Sequence, residues 1–269
     1  MQRQIIVMAV IAMTVWPAFP GHSDSAVDGA ASRLNSAHVV DARTPAREAR
    51  AGAGWTEPET GMEFVWVPAI ACWVGKYEVT NGEFLKFKPG HNSGRYQRFS
   101  LIGDRLPVVQ FTFADVLAFA EWLTTKERKA GRLDGKLKYR LPTDEEWERF
   151  ARCGDNRPYP WGTEWPPKYG NYPDAKAGQS FADWRVIGAY NDGFVITCPV
   201  ELSGKNDWGL YGVGGNVWEL TLEPGATEPR MRGGSCEYGS EAGLLCSHSC
   251  RYVPALWNYF VGFRLIIAP

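Results

Sequence analysis

From residue 155 onward the chain shows almost no helical periodicity, and Gly, Pro, Trp and Tyr dominate it. That feature narrows the folds open to it. The 269 residues include 29 Gly and 18 Pro, beside twelve Trp, eleven Tyr and thirteen Phe. Where hydrogen-bonded ladders are scarce, large aromatic side chains must knit the loops together. A loop-rich globular fold is the expected result.

Regular elements are signalled mainly earlier in the chain. GMEFVWVPA (61–69) alternates like a strand. Thr80 with Glu83, and Thr143 with Glu146, have capping-box spacing, so a short helix is expected to start at each. Phe113, Val116, Leu117, Ala120 and Leu123 repeat at the spacing of an amphipathic helix. Short strands are expected around MRGGS and VGFRLII.

The chain opens MQRQIIVMAVIAMTVWPAFPGHSDSA. Arg3 precedes an apolar run from Ile5 to Trp16, Pro17 and Pro20 break it, and small residues follow. Residues 1–26 are therefore expected to be a secretory signal peptide, with an uncleaved signal anchor as the alternative. Residues 27–60, rich in Ala, Gly, Ser and Arg, are expected to form a flexible leader, and 61–269 the domain. No other stretch is apolar over ~18 residues, so the mature chain is expected to lack a membrane span and to be secreted or periplasmic. A net charge of -1 leaves no basic excess to track phosphates, which excludes nucleic acid as an expected partner.

In that compartment an even number of cysteines points to disulfides, with Cys72, Cys153, Cys198, Cys236, Cys246 and Cys250 as the candidates. Their connectivity is open. Cys246, His248 and Cys250 form a C-x-H-x-C run, which on a strand would put three metal-ligand types on one face. Four His (22, 38, 91, 248) make no cluster, and no Walker loop, G-x-S-x-G elbow or H-E-x-x-H occurs.

The order of landmarks is specific. GMEFVWVP, GKYEVTNGEF, LPVVQFTFADVLAFAEWL, YRLPTDEEWERFAR, YPWG, GLYGVGGNVWEL, RGGS and GFRL follow one another across nearly the whole mature chain. In this it resembles the sulfatase-modifying-factor family, the formylglycine-generating enzymes and their relatives. The resemblance implies a single α+β domain of low regular secondary structure, a variant of the C-type-lectin fold. In the family's oxidases, two cysteines at the third and eighth residues after the RGGS serine bind copper and oxidise a substrate cysteine. Here those positions hold Tyr238 and Gly243. A phenol and a glycine cannot form the dithiolate that Cu(I) prefers, so copper and oxidase chemistry are not expected.

The resemblance also implies calcium. One family site matches Asn171, Tyr172, Asp192 and Phe194, a set of oxygen ligands that suits the ion; a turn in which Asp192 caps its own backbone is the alternative. A second site would use Gly215, Val217 and Glu219, but Gly212 stands where its first ligand belongs. That site is expected to be weak or empty, with Glu219 in a buried bond to Arg232 or Arg264. The segment after Cys236 carries Tyr238, His248, Tyr252, Leu256, Trp257, Asn258, Tyr259 and Phe260. Aromatics on a rigid scaffold anchor partners and sugar rings, so a protein or glycan ligand at this C-terminal surface is expected. Two other functions stay open: an oxidase with a rearranged cysteine pair, and a variable ligand-binding protein of a diversity-generating retroelement.

Overall fold

A computed structural model of the protein describes residues 54–253 and 259–269. The expected signal peptide, residues 27–53 of the expected leader, and Leu256, Trp257 and Asn258 lie outside them. Strand β2 (Glu63–Val67) forms in the alternating run and pairs antiparallel with β3 (Cys72–Gly75), Val65 opposite Val74. Strand β1 (Trp55–Thr56) covers the other edge of β2, and Glu57 is fully buried. The fold therefore begins before Gly61, inside the segment expected to be leader. A two-residue strand is too short to show a period in sequence.

Strand β11 (Ile266–Ala268) inserts between β3 and β6 (Lys138–Arg140), giving the sheet order β1-β2-β3-β11-β6. The C-terminal strand is thus internal to the sheet that the N-terminal strands begin, and all three of its residues are buried. A second sheet runs β10 (Val261–Gly262), β7 (Trp218–Thr221), β8 (Arg230–Arg232), β9 (Ser249–Arg251), with β10 parallel to β7 and the rest antiparallel. A separate hairpin joins β4 (Arg95–Tyr96) to β5 (Phe99–Ser100).

Helices α1 (Asn81–Phe87), α2 (Phe113–Lys129) and α3 (Asp144–Ala151) each start on a reciprocal capping box, Thr80 with Glu83, Thr112 with Asp115, and Thr143 with Glu146. Each threonine satisfies an N–H that the first turn would otherwise leave orphaned, which stabilises by about 1 kcal/mol. Helix α2 buries Val116, Phe119, Ala120 and Leu123, while Leu117 is 43% exposed on its flank rather than in the core. The Phe84, Phe119 and Phe263 rings meet at 5.3 to 6.2 Å between the helices and the chain leading into β11. A fourth helix, α4 (Ala175–Ser180), is capped by Asp174 in the stretch where little helix is expected. No described helix is long and apolar enough to cross a membrane.

Candidate functional site

Beyond β8 the chain turns through Gly233 and Gly234, both at positive φ, where a side chain at 234 would run into Leu244. Tyr238 then folds back, its N–H donating to the Ser235 carbonyl at 3.1 Å. Its ring packs 5.0 Å from the indole of Trp218 on β7, and His248 approaches the same indole at 6.2 Å. The Tyr238 ring also lies directly against Gly243, so that a Cβ at 243 would collide with its edge and hydroxyl. The two positions that carry thiols in the oxidases are therefore filled by one phenol.

All six thiols are unpaired in the structure, which departs from the expected disulfides. The reason lies in where the chain takes the clustered cysteines. Cys236 sits in a small core with Phe260 and Val217. Cys246 turns into a different core beside Trp147 and Cys72. Cys250, on β9, is half-buried with its Sγ 4.0 Å from the Met231 carbonyl. Strand β9 starts only at Ser249, so Cys246 and His248 lie outside it and the C-x-H-x-C run does not share a strand face. Burial pushes the Cys72 and Cys246 thiols up to about 12, and raises Cys153, Cys198, Cys236 and Cys250 as well. Such thiols are poor nucleophiles and poor metal ligands.

Asn216 is the hub that ties the loops together, and its role is not marked by any spacing in the sequence. Fully buried at φ 60, it takes the left-handed conformation that few non-glycine residues adopt. Its N–H donates to the Asn171 carbonyl at 2.7 Å, and its own carbonyl accepts from the Cys236 N–H at 3.0 Å. Its Oδ1 accepts from Asn171 Nδ2 at 3.1 Å and from the Cys198 N–H at 2.9 Å. Its Nδ2 donates to Glu78 Oε1 at 3.0 Å. Asn216 thus bonds to Asn171 of the first candidate calcium set while lying in the chain between Gly215 and Val217 of the second.

The first set suits a hard cation. Asn171 is buried and its Oδ1 has no hydrogen-bond partner. Asp192 lies against it in space, Oδ2 accepting the Tyr172 N–H and Oδ1 the Phe194 N–H, both at 2.8 Å. A carboxylate has about four acceptor positions, so these bonds leave capacity for an ion. The Phe194 bond is also the self-capping turn that formed the alternative reading, and it coexists with the orphaned Asn171 oxygen. Burial, reinforced by the charge of Asp174, lifts Asp192 to about 6, the direction expected for a carboxylate short of a positive neighbour. Among the described residues no three His, Cys, Asp or Glu side chains converge, so amide and carbonyl oxygens would complete the coordination.

The second set does not suit one. Gly212, at φ 64, leaves a space that the Glu78 carboxylate fills, and a Cβ there would strike both of its oxygens. Glu219 is wholly engaged, Arg264 Nε lying 3.2 and 3.1 Å from its two oxygens and Trp147 Nε1 donating at 2.8 Å. Arg264 also donates to the Gly75 carbonyl at 2.7 Å and to that of Tyr211. Gly215 and Val217 lie in the same buried turn. Arg232, the other candidate partner, pairs instead with Asp144 at 2.7 Å. Glu78 itself keeps Oε2 without a partner, and burial pushes its carboxyl up to about 8.

The expected ligand surface is divided. Tyr238 and His248 are half-buried around Trp218, and Tyr259 is 40% exposed. Tyr252 belongs to the main core, 7% exposed, and is corrected from surface to core; it closes the end of β9 on the apolar side. Phe260 is core too. Around Tyr259 the structure adds Tyr96 and Trp184, which sequence spacing does not connect with it.

Two small sheets, a few capped helices and long loops fastened by a buried amide define an α+β domain of the C-type-lectin-like kind. The chain belongs to the sulfatase-modifying-factor family: the Sulfatase-modifying factor enzyme 1-like domain matches residues 44–269. It is similar to a formylglycine-generating enzyme of Thermomonospora curvata, 36% identical over 171 residues, 60% of this chain and 45% of that protein. It is also similar to the mouse inactive C-alpha-formylglycine-generating enzyme 2, 30% identical over 187 residues, 67% of this chain and 51% of the other. The chain spans about half the length of these relatives. Among solved structures, PvdO from Pseudomonas aeruginosa has the same fold, with a TM-score of 0.58 at 19% identity, covering 82% of this chain and 99% of PvdO.

Proposed function

We propose that this protein is a secreted or periplasmic, non-oxidase member of its family that binds a protein or glycan ligand through its C-terminal surface, with calcium at Asn171, Tyr172, Asp192 and Phe194. The observation that carries the first part is the Tyr238 ring lying against Gly243, in the volume a second thiol would need. The cysteines are unpaired and their thiols raised by burial, which weighs against the rearranged oxidase. A relative that is named inactive supports the same reading. Tyr238 and His248 against Trp218, and the exposed Tyr259, offer aromatic anchors on a rigid sheet. Binding to an array of glycans and extracellular proteins, compared between the wild type and Tyr259→Ala and His248→Ala variants, tests the reading. Specific binding weakened by those substitutions is the expected result. Binding that neither substitution alters would overturn the assignment to this surface.

A further inference from the structure

Three separate segments bring aromatic rings together around Tyr259. The hairpin β4/β5 supplies Tyr96, the turn after α4 supplies Phe181 and Trp184, and Tyr259 and Phe260 lead into β10. Phe181 and Phe260 are buried and form the floor. Trp184 stacks on Phe181 at 4.2 Å and stands perpendicular to Phe260 at 5.6 Å. Tyr96 meets Phe260 at 4.9 Å, Tyr259 at 5.4 Å and Trp184 at 6.1 Å. Tyr96 and Trp184 are half-buried and Tyr259 is exposed, so their rings reach solvent.

Cys236 packs into the same cluster, which places Glu237 beside it. The Glu237 carboxylate makes no ion pair or hydrogen bond among the described residues, although the residue is half-buried. Among the described residues the charge that bears on it is that of Asp183, another acid, and the charges of both bear on the Tyr96 phenol. Burial, then Asp183, pushes Glu237 up to about 7. A carboxylate in this position costs free energy until a cation or donor meets it. The ring faces are suited to the same partner, because the π quadrupole attracts cations, Trp most strongly. At the near end of the cluster the protein already uses this attraction: the Arg98 guanidinium lies 4.7 Å over Phe99. No described cation covers Tyr96, Trp184 or Tyr259.

We infer that Tyr96, Trp184 and Tyr259, with the Glu237 carboxylate, form a binding site for an alkylammonium group. The inference rests on the proposed binding role of the C-terminal surface and names the chemistry recognised at one part of it. The ammonium would lie over the rings while its charge is matched by Glu237 and Asp183. A neutral sugar ring would leave that charge unmet. A lysine side chain of a protein and a free quaternary amine share the required chemistry.

Saturation-transfer NMR on the full chain tests this with choline, its uncharged isostere 3,3-dimethyl-1-butanol, and the peptides Gly-Gly-Lys-Gly-Gly and Gly-Gly-Gln-Gly-Gly. Choline or the lysine peptide is expected to bind, and the two neutral probes to bind about tenfold more weakly or not at all. A preference for the peptide assigns a protein side chain, and a preference for choline a free amine. Glu237→Gln is expected to weaken binding about tenfold with an unchanged melting curve. It keeps the test open if Trp184→Ala does not fold. Equal binding of charged and neutral probes, or full binding by Glu237→Gln, would overturn the inference. No alkylammonium binding, with array binding still sensitive to His248→Ala, would remove this site and leave the broader function standing.

Discussion

On one side of Asn216 stand Asn171 and Asp192, on the other Gly212 and Glu219, and the family resemblance implies a candidate calcium site at each. In this chain the two junctions are closed differently. At the first, the Asn171 amide oxygen is buried without a partner, and burial lifts Asp192, which forms no ion pair among the described residues. At the second, the positive charge is covalent: Arg264 neutralises Glu219, and Glu78 fills the space over Gly212. If the proposed calcium binds at the first crossing, a removable ion does there what a guanidinium built into the chain does at the second. The second solution needs no ion from the medium, but it leaves buried charges that cannot lose a partner.

The largest expected effect follows from that last point. Arg264→Met should destabilise the fold by about 3–5 kcal/mol in denaturant unfolding, because Glu219 is left charged and unpaired in the interior. Adding Glu219→Gln should recover part of the loss; a single substitution costing under about 1 kcal/mol would mean the junction is not held by the pair.

The first junction should respond to the medium instead. Calcium at a hundredfold excess over its dissociation constant should stabilise the wild type by about 2.7 kcal/mol, and EDTA should reverse it. Asp192→Ala should melt identically with and without calcium. A wild type indifferent to both reagents would erase the contrast between the junctions.

Glu78 gives a smaller effect with a definite sign. Its carboxyl is held above the ordinary range, so its stabilising contribution is complete below about pH 4.5 and is lost as pH rises through about 8. Between pH 7 and pH 8 the wild type should lose about 1 kcal/mol that Glu78→Gln does not lose. The smallest signal is a silence. Native protein should give no fast reaction with a thiol reagent, while the unfolded chain should titrate six thiols. A count of four or fewer after unfolding would reveal disulfides.

What the sequence made legible is what depends on short-range rules. The capping boxes at Thr80 and Thr143 are local bonds between a side chain and the nearest backbone, so their spacing alone predicts α1 and α3. The box at Thr112 with Asp115 obeys the same geometry with a shorter acid. The ordered landmarks point to the family, and the missing ligand at Gly212 points to a buried partner for Glu219, Arg232 or Arg264, of which the fold uses Arg264. Long-range partnerships were not legible. Glu78 lies far from Gly212 in sequence, and only the closed fold shows that its carboxylate replaces the missing side chain. The same holds for Tyr96 beside Tyr259, and for Cys246 and Cys250, whose closeness in sequence hides their separation into different cores. Tyr252 was misplaced because an aromatic at a strand end reads alike whether it faces solvent or core.

The proposed non-oxidase role rests on the Tyr238 phenol, which occupies the place of the family's dithiolate. The most direct test is mass spectrometry of a sulfatase-type C-x-P-x-R peptide incubated with the copper-treated protein under oxygen. The peptide cysteine should be recovered unchanged. Its conversion to formylglycine would mean that the scaffold oxidises despite Tyr238 and Gly243.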